Sequence, residues 1–414
     1  MNGFFKDIKT IERIKEGLLG RYIDLYAEQL RAEGYTRKSG SQKLRLIDDF
    51  SQWLECEPIE IRQLQLRHIH EYLRSCKLQT ADQIRRGDFA TLNQLFQLLR
   101  QLGVIAEPLP QRKQTPSEKL LADYDEYLRK ERSLAVSTRS NYLPFIHQFL
   151  VAKFGAGPID LLTLCASDII RFIQQGAKRF SIKQAQMLTT AMRSFLRYTR
   201  YHGELTLDLA ACVPSVTSWS LSTLPKSLPP AQVEQVLAHC DRNTSVGRRN
   251  YAILLLLARL GLRAGEVVNL TLDDIHWETG RLTIRGKMGR VDQLPLPADV
   301  GEAIVAYLKN GRPPVLDNRR LFLRAKAPLT GLKGPQALST IVRRALERAG
   351  IESPRKGAHL FRHTLASEML RQGHSLREIG EILRHRSPET TAIYAKVDIL
   401  TLRSLALPWP GGSR

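Results

Sequence analysis

Cysteine is scarce and scattered: Cys56, Cys76, Cys165, Cys212 and Cys240 are the only five in 414 residues, with no C-x-x-C pair. That pattern argues against a disulfide framework or a cysteine zinc site and suits a reducing compartment. Long apolar runs are lacking too. The longest, residues 251–258, falls far short of the ~20 residues that a bilayer-spanning helix needs. The opening Met1-Asn-Gly-Phe-Phe-Lys-Asp holds no signal-peptide stretch, so a soluble cytoplasmic protein is expected. There is no H-E-x-x-H and no paired-carboxylate cluster, so neither a metal nor another cofactor is expected. Acidic residues are outnumbered, 41 against 62 basic, for a formal charge of +21. Such an excess favours a polyanionic partner, and no long basic amphipathic segment argues for a membrane surface instead.

What remains is an ordinary globular composition, 43% apolar, long enough for two or three domains. The N-terminal half contains a repeat, in which residues 21–105 align with 121–205. Ile47 and Phe50 fall opposite Ile146 and Phe149; Leu64, Ile69 and Leu73 fall opposite Leu164, Ile169 and Ile173; Leu92, Leu95 and Phe96 fall opposite Met192, Phe195 and Leu196. The spacing is helical, and Gly103 and Gly203 stand where each last helix should stop. Proline-rich polar stretches at 106–116 and 213–230 read as linkers. The expected domains are therefore 1–110, an extra helical module; 115–210, a second one; 211–228, a linker; and 229–408, a mixed domain with a tail helix. In the last, Gln232–Ala238, Asn250–Leu260, Ala337–Ala349, Leu360–Gln372, Leu376–Leu383 and Pro388–Lys396 read as helices. Arg281–Arg285 and Asp292–Leu296 alternate as an antiparallel hairpin with Lys287 at its tip. The fold class is mostly α with a small antiparallel sheet.

Six residues in the mixed domain carry chemistry. Arg263 stands in Leu-Gly-Leu-Arg-Ala-Gly-Glu266, Lys287 in Arg-Gly-Lys-Met-Gly-Arg290, His359 and Arg362 in His-Leu-Phe-Arg-His-Thr, and His385 and Tyr394 in Leu-Arg-His-Arg-Ser-Pro-Glu-Thr-Thr-Ala-Ile-Tyr. Guanidiniums offer planar forks matched to a phosphate gathering charge. His359 shares a helical face with Arg362 and is suited to take the proton of an attacking hydroxyl. Lys287, mobile at a hairpin tip, can protonate a leaving 5′-oxygen. His385 either donates to the phosphate or holds the tyrosine. Tyr394 supplies a nucleophile whose phosphotyrosyl link conserves bond energy, so rejoining needs neither ATP nor a metal. Glu266 reads as an orienting partner for an arginine, while His363 is expected to point elsewhere on its helix. Together the set fits attack of a tyrosine on a DNA phosphodiester.

On these motifs the chain resembles the tyrosine recombinases, or phage integrase family, over roughly 115–405. The resemblance implies Arg263, Lys287, His359, Arg362, His385 and Tyr394 as the active site, with Tyr394 the nucleophile. It implies that 115–210 is a SAM-like core-binding domain clamping double-stranded DNA opposite the catalytic domain. It implies a site-specific recombinase acting through a 3′-phosphotyrosyl link, in integration, excision or transposition of a mobile element. The working assembly would be a tetramer of the chain on two DNA sites, with other recombinases or DNA-bending accessory proteins as further partners. Module 1–110 is extra to the two-domain pattern and looks like an added arm or a duplicated core-binding domain. Arg384 stands where a glycine is usual, its side chain either contacting DNA or pointing to solvent. The tail, apolar at 399, 402 and 405–407, is expected to dock on a neighbouring protomer. Two rivals are a type IB topoisomerase-like relaxing enzyme and a DNA-binding accessory protein with a vestigial site. A binding module would have no use for the full six-residue geometry.

Overall fold

The computed structural model describes residues 1, 3–57, 59–79, 87–106, 115–217, 224–286, 289–315 and 318–397. Lys287, residues 107–114 and 218–223 of the two linkers, and the tail from 398 onward lie outside the described residues, and so does the expected tail docking. Among the described residues no helix is long and apolar enough to cross a membrane. The chain divides into two compact units, Met1–Glu107 with Thr223–Arg414, and Pro108–Ser222.

The first module has helices α1 (Ile8–Glu16), α2 (Gly20–Ala32), α3 (Arg37–Glu55), α4 (Leu66–Gln79) and α5 (Asp88–Gln101). The Pro108–Ser222 unit has α6 (Pro116–Lys130), α7 (Val136–Phe154), α8 (Ala166–Arg179) and α9 (Ile182–Tyr201). From α2 and from α6 the same order recurs, with a 3-10 turn before the third helix each time. Paired helices α3 and α7 both run 19 residues, and α4 and α8 both run 14. The aligned Ile47, Phe50, Ile69, Leu92 and Phe96 form one core; Ile146, Phe149, Ile169, Met192 and Phe195 form the other. Starts are set by caps. Thr115 with Glu118 and Ser181 with Gln184 make capping boxes that satisfy free N–H groups at α6 and α9. Gly103 and Gly203 take φ of 69° and 75°, the left-handed stop expected of them.

The C-terminal part builds a third core around α11 (Ser245–Leu260), whose Ala252–Leu257 are all buried. Before it comes α10 (Pro230–Ala238) and after it α12 (Ala264–Asn269). A three-stranded antiparallel sheet follows: β1 (Ile275–His276), β2 (Arg281–Arg285) and β3 (Val291–Pro295). Strand β1 is too short to show alternation in sequence. Leu282 pairs with Leu294, while Ile284 faces Asp292 across the hairpin. Helices α13 (Ala298–Asn310), α14 (Pro335–Arg348), α15 (His359–Arg371), α16 (Leu376–Ile382) and α17 (Pro388–Ala392) follow among the described residues. The expected helix 388–396 is broken. Bonds from Tyr394 N to Thr391 O and from Val397 N to Tyr394 O tighten it to three-residue spacing, so Tyr394 sits in a turn beyond α17.

The first module touches the C-terminal part of its own unit. Leu329 donates its N–H to the Glu33 carbonyl at 2.9 Å, and its side chain covers Gly34, whose φ of 78° and lack of Cβ permit the approach.

Candidate active site

The site begins where α11 stops. Gly261 adopts φ 56°, and a Cβ there would lie 2.8 Å from Leu383 and 3.0 Å from Leu365. Glycine therefore both ends the helix and lets α15 and α16 close against it. Two residues on, Arg263 is the N-cap of α12. Glu266 accepts its backbone N–H at 2.8 Å and its guanidinium at 2.8 Å, so the predicted orienting contact is present.

Arg362 comes from the first turn of α15 and is 3% exposed. Its guanidinium donates to the Gly261 carbonyl at 2.5 Å and to the Leu383 carbonyl. Burial, then repulsion from Arg263 and Arg384, pushes its pKa down to about 10. Arg263 also reaches the chain just beyond, donating to the Arg384 carbonyl at 3.3 Å. Both guanidiniums are thus anchored on consecutive carbonyls of one turn. Sequence spacing could not reveal this, because the turn is more than a hundred residues from Arg263.

Arg384 corrects an expectation. It neither faces solvent nor extends outward; it is 6% exposed and pairs with Glu266 at 3.0 Å. Burial alone would raise the Glu266 carboxyl, but the Arg263 backbone bond and both guanidiniums outweigh it and hold its pKa low.

Tyr394 is 1% exposed, its ring packed with Ala366, Met369, Ile379 and Leu383. Burial pushes the phenol up to about 12, opposed by Arg362. Its hydroxyl lies 2.8 Å from Nδ1 of His363. This is a second correction: His363 points at the Tyr394 hydroxyl, not away from it. Its place one residue past Arg362 was visible in sequence; the turn beyond α17 that brings Tyr394 to His363 was not. His359 is exposed at the start of α15, its ring 6.3 Å from that of His363. His385 bonds Thr391 Oγ1 through Nδ1 at 2.7 Å and lies parallel to the Tyr394 ring, centroids 6.4 Å apart. Lys287 is outside the described residues, but both flanks of its hairpin are fixed, Arg285 on buried Asp274 and Arg290 on Asp292.

His363 and His385 are each driven down to about 4, first by burial and then by neighbouring basic side chains, His359 and Arg362 for the one and Arg362 and Arg263 for the other. Both are therefore neutral near pH 7, and His363 can accept the tyrosine proton. The unfolded chain takes up these two protons near the ordinary histidine value of 6.5, the folded chain only near 4. Acid therefore favours unfolding across that window, and these groups cost nothing further below it. A series of melting temperatures from pH 7 to 4 should fall, with a shallower fall in His363→Asn and His385→Asn. Equal slopes in all three proteins would contradict the burial of these rings.

Residues 226–399 match the phage integrase family. The chain is 47% identical over 404 residues to a Sinorhizobium fredii protein described as an integrase/recombinase, y4rA, the match spanning 97% of each. It is 30% identical over 298 residues to the tyrosine recombinase XerD of Listeria monocytogenes, covering 69% of this chain and 96% of XerD. Among solved structures, the XerH site-specific recombinase bound to a palindromic difH substrate aligns with TM-score 0.55 and 20% identity. That alignment covers 82% of this chain and 94% of that one. A lambda integrase dimer bound to a core site aligns with TM-score 0.51 and 16% identity over 71% and 98%. At those identities the two structures speak to the fold.

Proposed function

This chain belongs to the phage integrase family and is a tyrosine recombinase that cleaves and rejoins DNA strands, and we propose that Arg263, Lys287, His359, Arg362, His385 and Tyr394 form its catalytic set, joined by His363 on the Tyr394 hydroxyl. The observation that carries this reading is electrostatic. Arg263 and Arg384 share one carboxylate, Glu266, while the guanidinium of Arg362 beside them is held only by the Gly261 and Leu383 carbonyls. Such a site is short of negative charge, and a phosphodiester gathering charge in its transition state supplies it.

Tyr394 Oη attacks phosphorus and becomes the 3′-phosphotyrosyl ester as the 5′-oxygen departs. His363, already on the hydroxyl, takes the phenolic proton, with His359 next to it as relay. Lys287 protonates the leaving oxygen. Arg263 and Arg362 bind the non-bridging oxygens, and His385 adds a donor while keeping the tyrosine ring parallel to its own. The 5′-hydroxyl of a partner strand then reverses the steps, returning the proton to Tyr394. Because Tyr394 is buried, its ring must turn out before it reaches a phosphate, which ties cleavage to assembly on DNA. We place the working form as a tetramer on two duplex sites, with accessory DNA-bending proteins or other recombinases as further partners. It would act on the nucleoid in the cytoplasm, integrating, excising or transposing a mobile element. Denaturing capture of protein-linked DNA from cells, followed by sequencing, tests this reading. Recovery of one recurring junction is expected; capture of no linked DNA would overturn it.

The modules should contribute unequally. Residues 223–414 hold 30 basic against 17 acidic side chains, whereas 1–107 hold 17 against 15. Duplex affinity should therefore survive in residues 112–414 and weaken steeply with salt, by roughly a thousandfold or more between 50 and 200 mM if six or more phosphates are contacted. Loss of the first module should mainly cost site choice or assembly. A folded 112–414 fragment with no duplex affinity in gel shifts would refute the assignment.

A further inference from the structure

Arg384 combines three features that a passive surface arginine would not show together. Its φ of 54° lies in the left-handed region, one of two such non-glycine residues among those described. Its side chain is buried, and Nε has no hydrogen-bond partner. Strain and burial of this kind persist only where the surroundings impose them. What imposes them is the clamp. Its guanidinium donates to Glu266 Oε2 at 3.0 Å and to the Ile382 carbonyl at 3.1 Å, while its own carbonyl accepts from Arg263 at 3.3 Å. Arg384 thus grips Arg263 twice, once through Glu266 and once through its backbone.

The charge count gives this contact a purpose. Arg263 and Glu266 alone form a neutral pair, and a neutral pair is a weak attractor for phosphate. Arg384 takes the second carboxylate oxygen, so the group of three carries one net positive charge. With Glu266 and Arg384 buried, one unit of charge a few ångströms from the reacting phosphate has a large effect. We propose that Arg384 is a positioning residue that sets the charge and aim of Arg263: it draws off the Glu266 carboxylate and fixes the plane of the Arg263 guanidinium. This inference rests on Arg263 being a phosphate clamp.

The test uses the full chain and a nicked duplex carrying the captured junction sequence, so that cleaved ends diffuse away and adduct formation is read as a single turnover. Arg384→Gly suits the backbone at this φ. It should slow adduct formation roughly tenfold, short of the roughly hundredfold loss expected for a donor touching the oxyanion. Duplex affinity should change by less than about twofold, since phosphate contacts elsewhere dominate it. Arg384→Gln, neutral but still a donor, should match the glycine variant and stands in for it should glycine lower the melting temperature. Adding Glu266→Gln to either should restore most of the rate, because it removes the charge that Arg384 offsets; a purely structural role would make the double variant worse. A wild-type rate in Arg384→Gly and Arg384→Gln, or a double variant no faster than its parent, would overturn the proposal. Arg263→Ala in the same assay keeps the two readings apart. Undiminished cleavage by it would sink the clamp itself, whereas its loss beside a normal Arg384→Gly sinks only the role of Arg384.

Discussion

Tyr394→Phe is expected to abolish the denaturant-resistant protein–DNA adduct while leaving fold and duplex affinity near those of the parent. The ring is almost wholly buried among Ala366, Met369, Ile379 and Leu383, and phenylalanine fills that space. What disappears is one oxygen and its bond to His363, worth about 1 kcal/mol of stability. What it costs in rate is far larger, since removing a covalent nucleophile typically lowers turnover by roughly 10⁴-fold or more. Adduct is scored on denaturing gels with labelled duplex. A Phe variant that still forms the adduct would mean another residue attacks the phosphate.

The second large effect separates the two arginines. Arg263 is half-buried and held by Glu266 and one carbonyl. Arg263→Ala should slow cleavage roughly a hundredfold or more with little loss of stability, as removal of an oxyanion donor does. Arg362 is buried and bonds the Gly261 and Leu383 carbonyls. Arg362→Ala should cost as much in rate and also about 2–4 kcal/mol in stability, because two buried carbonyls lose their donor and a cavity opens. Denaturant titration beside single-turnover cleavage reads both quantities; equal stability losses in the two variants would contradict the buried anchoring of Arg362. Wild-type cleavage should persist in excess chelator, since protein side chains (tyrosine, lysine, arginines and histidines) carry every assigned step. Loss on chelation and return with magnesium would instead indicate a metal-dependent nuclease.

The sequence by itself determined the helical repeat, the hairpin and the arginine–glutamate pair three residues apart, and it suggested the six residues proposed for the chemistry. Each of these is a local pattern: an apolar period, a glycine stop or an i,i+3 spacing fixes its neighbours before any tertiary contact forms. Only the tertiary structure decided what the second histidine of His-Leu-Phe-Arg-His does, because His363 meets Tyr394 in the turn beyond α17, 31 residues along the chain. It alone turned Arg384 inward, since Glu266, 118 residues earlier, is the carboxylate that satisfies it. And it alone buried Tyr394, because burial depends on which apolar faces close over a side chain, and a one-dimensional pattern shows which faces need closing without showing what closes them.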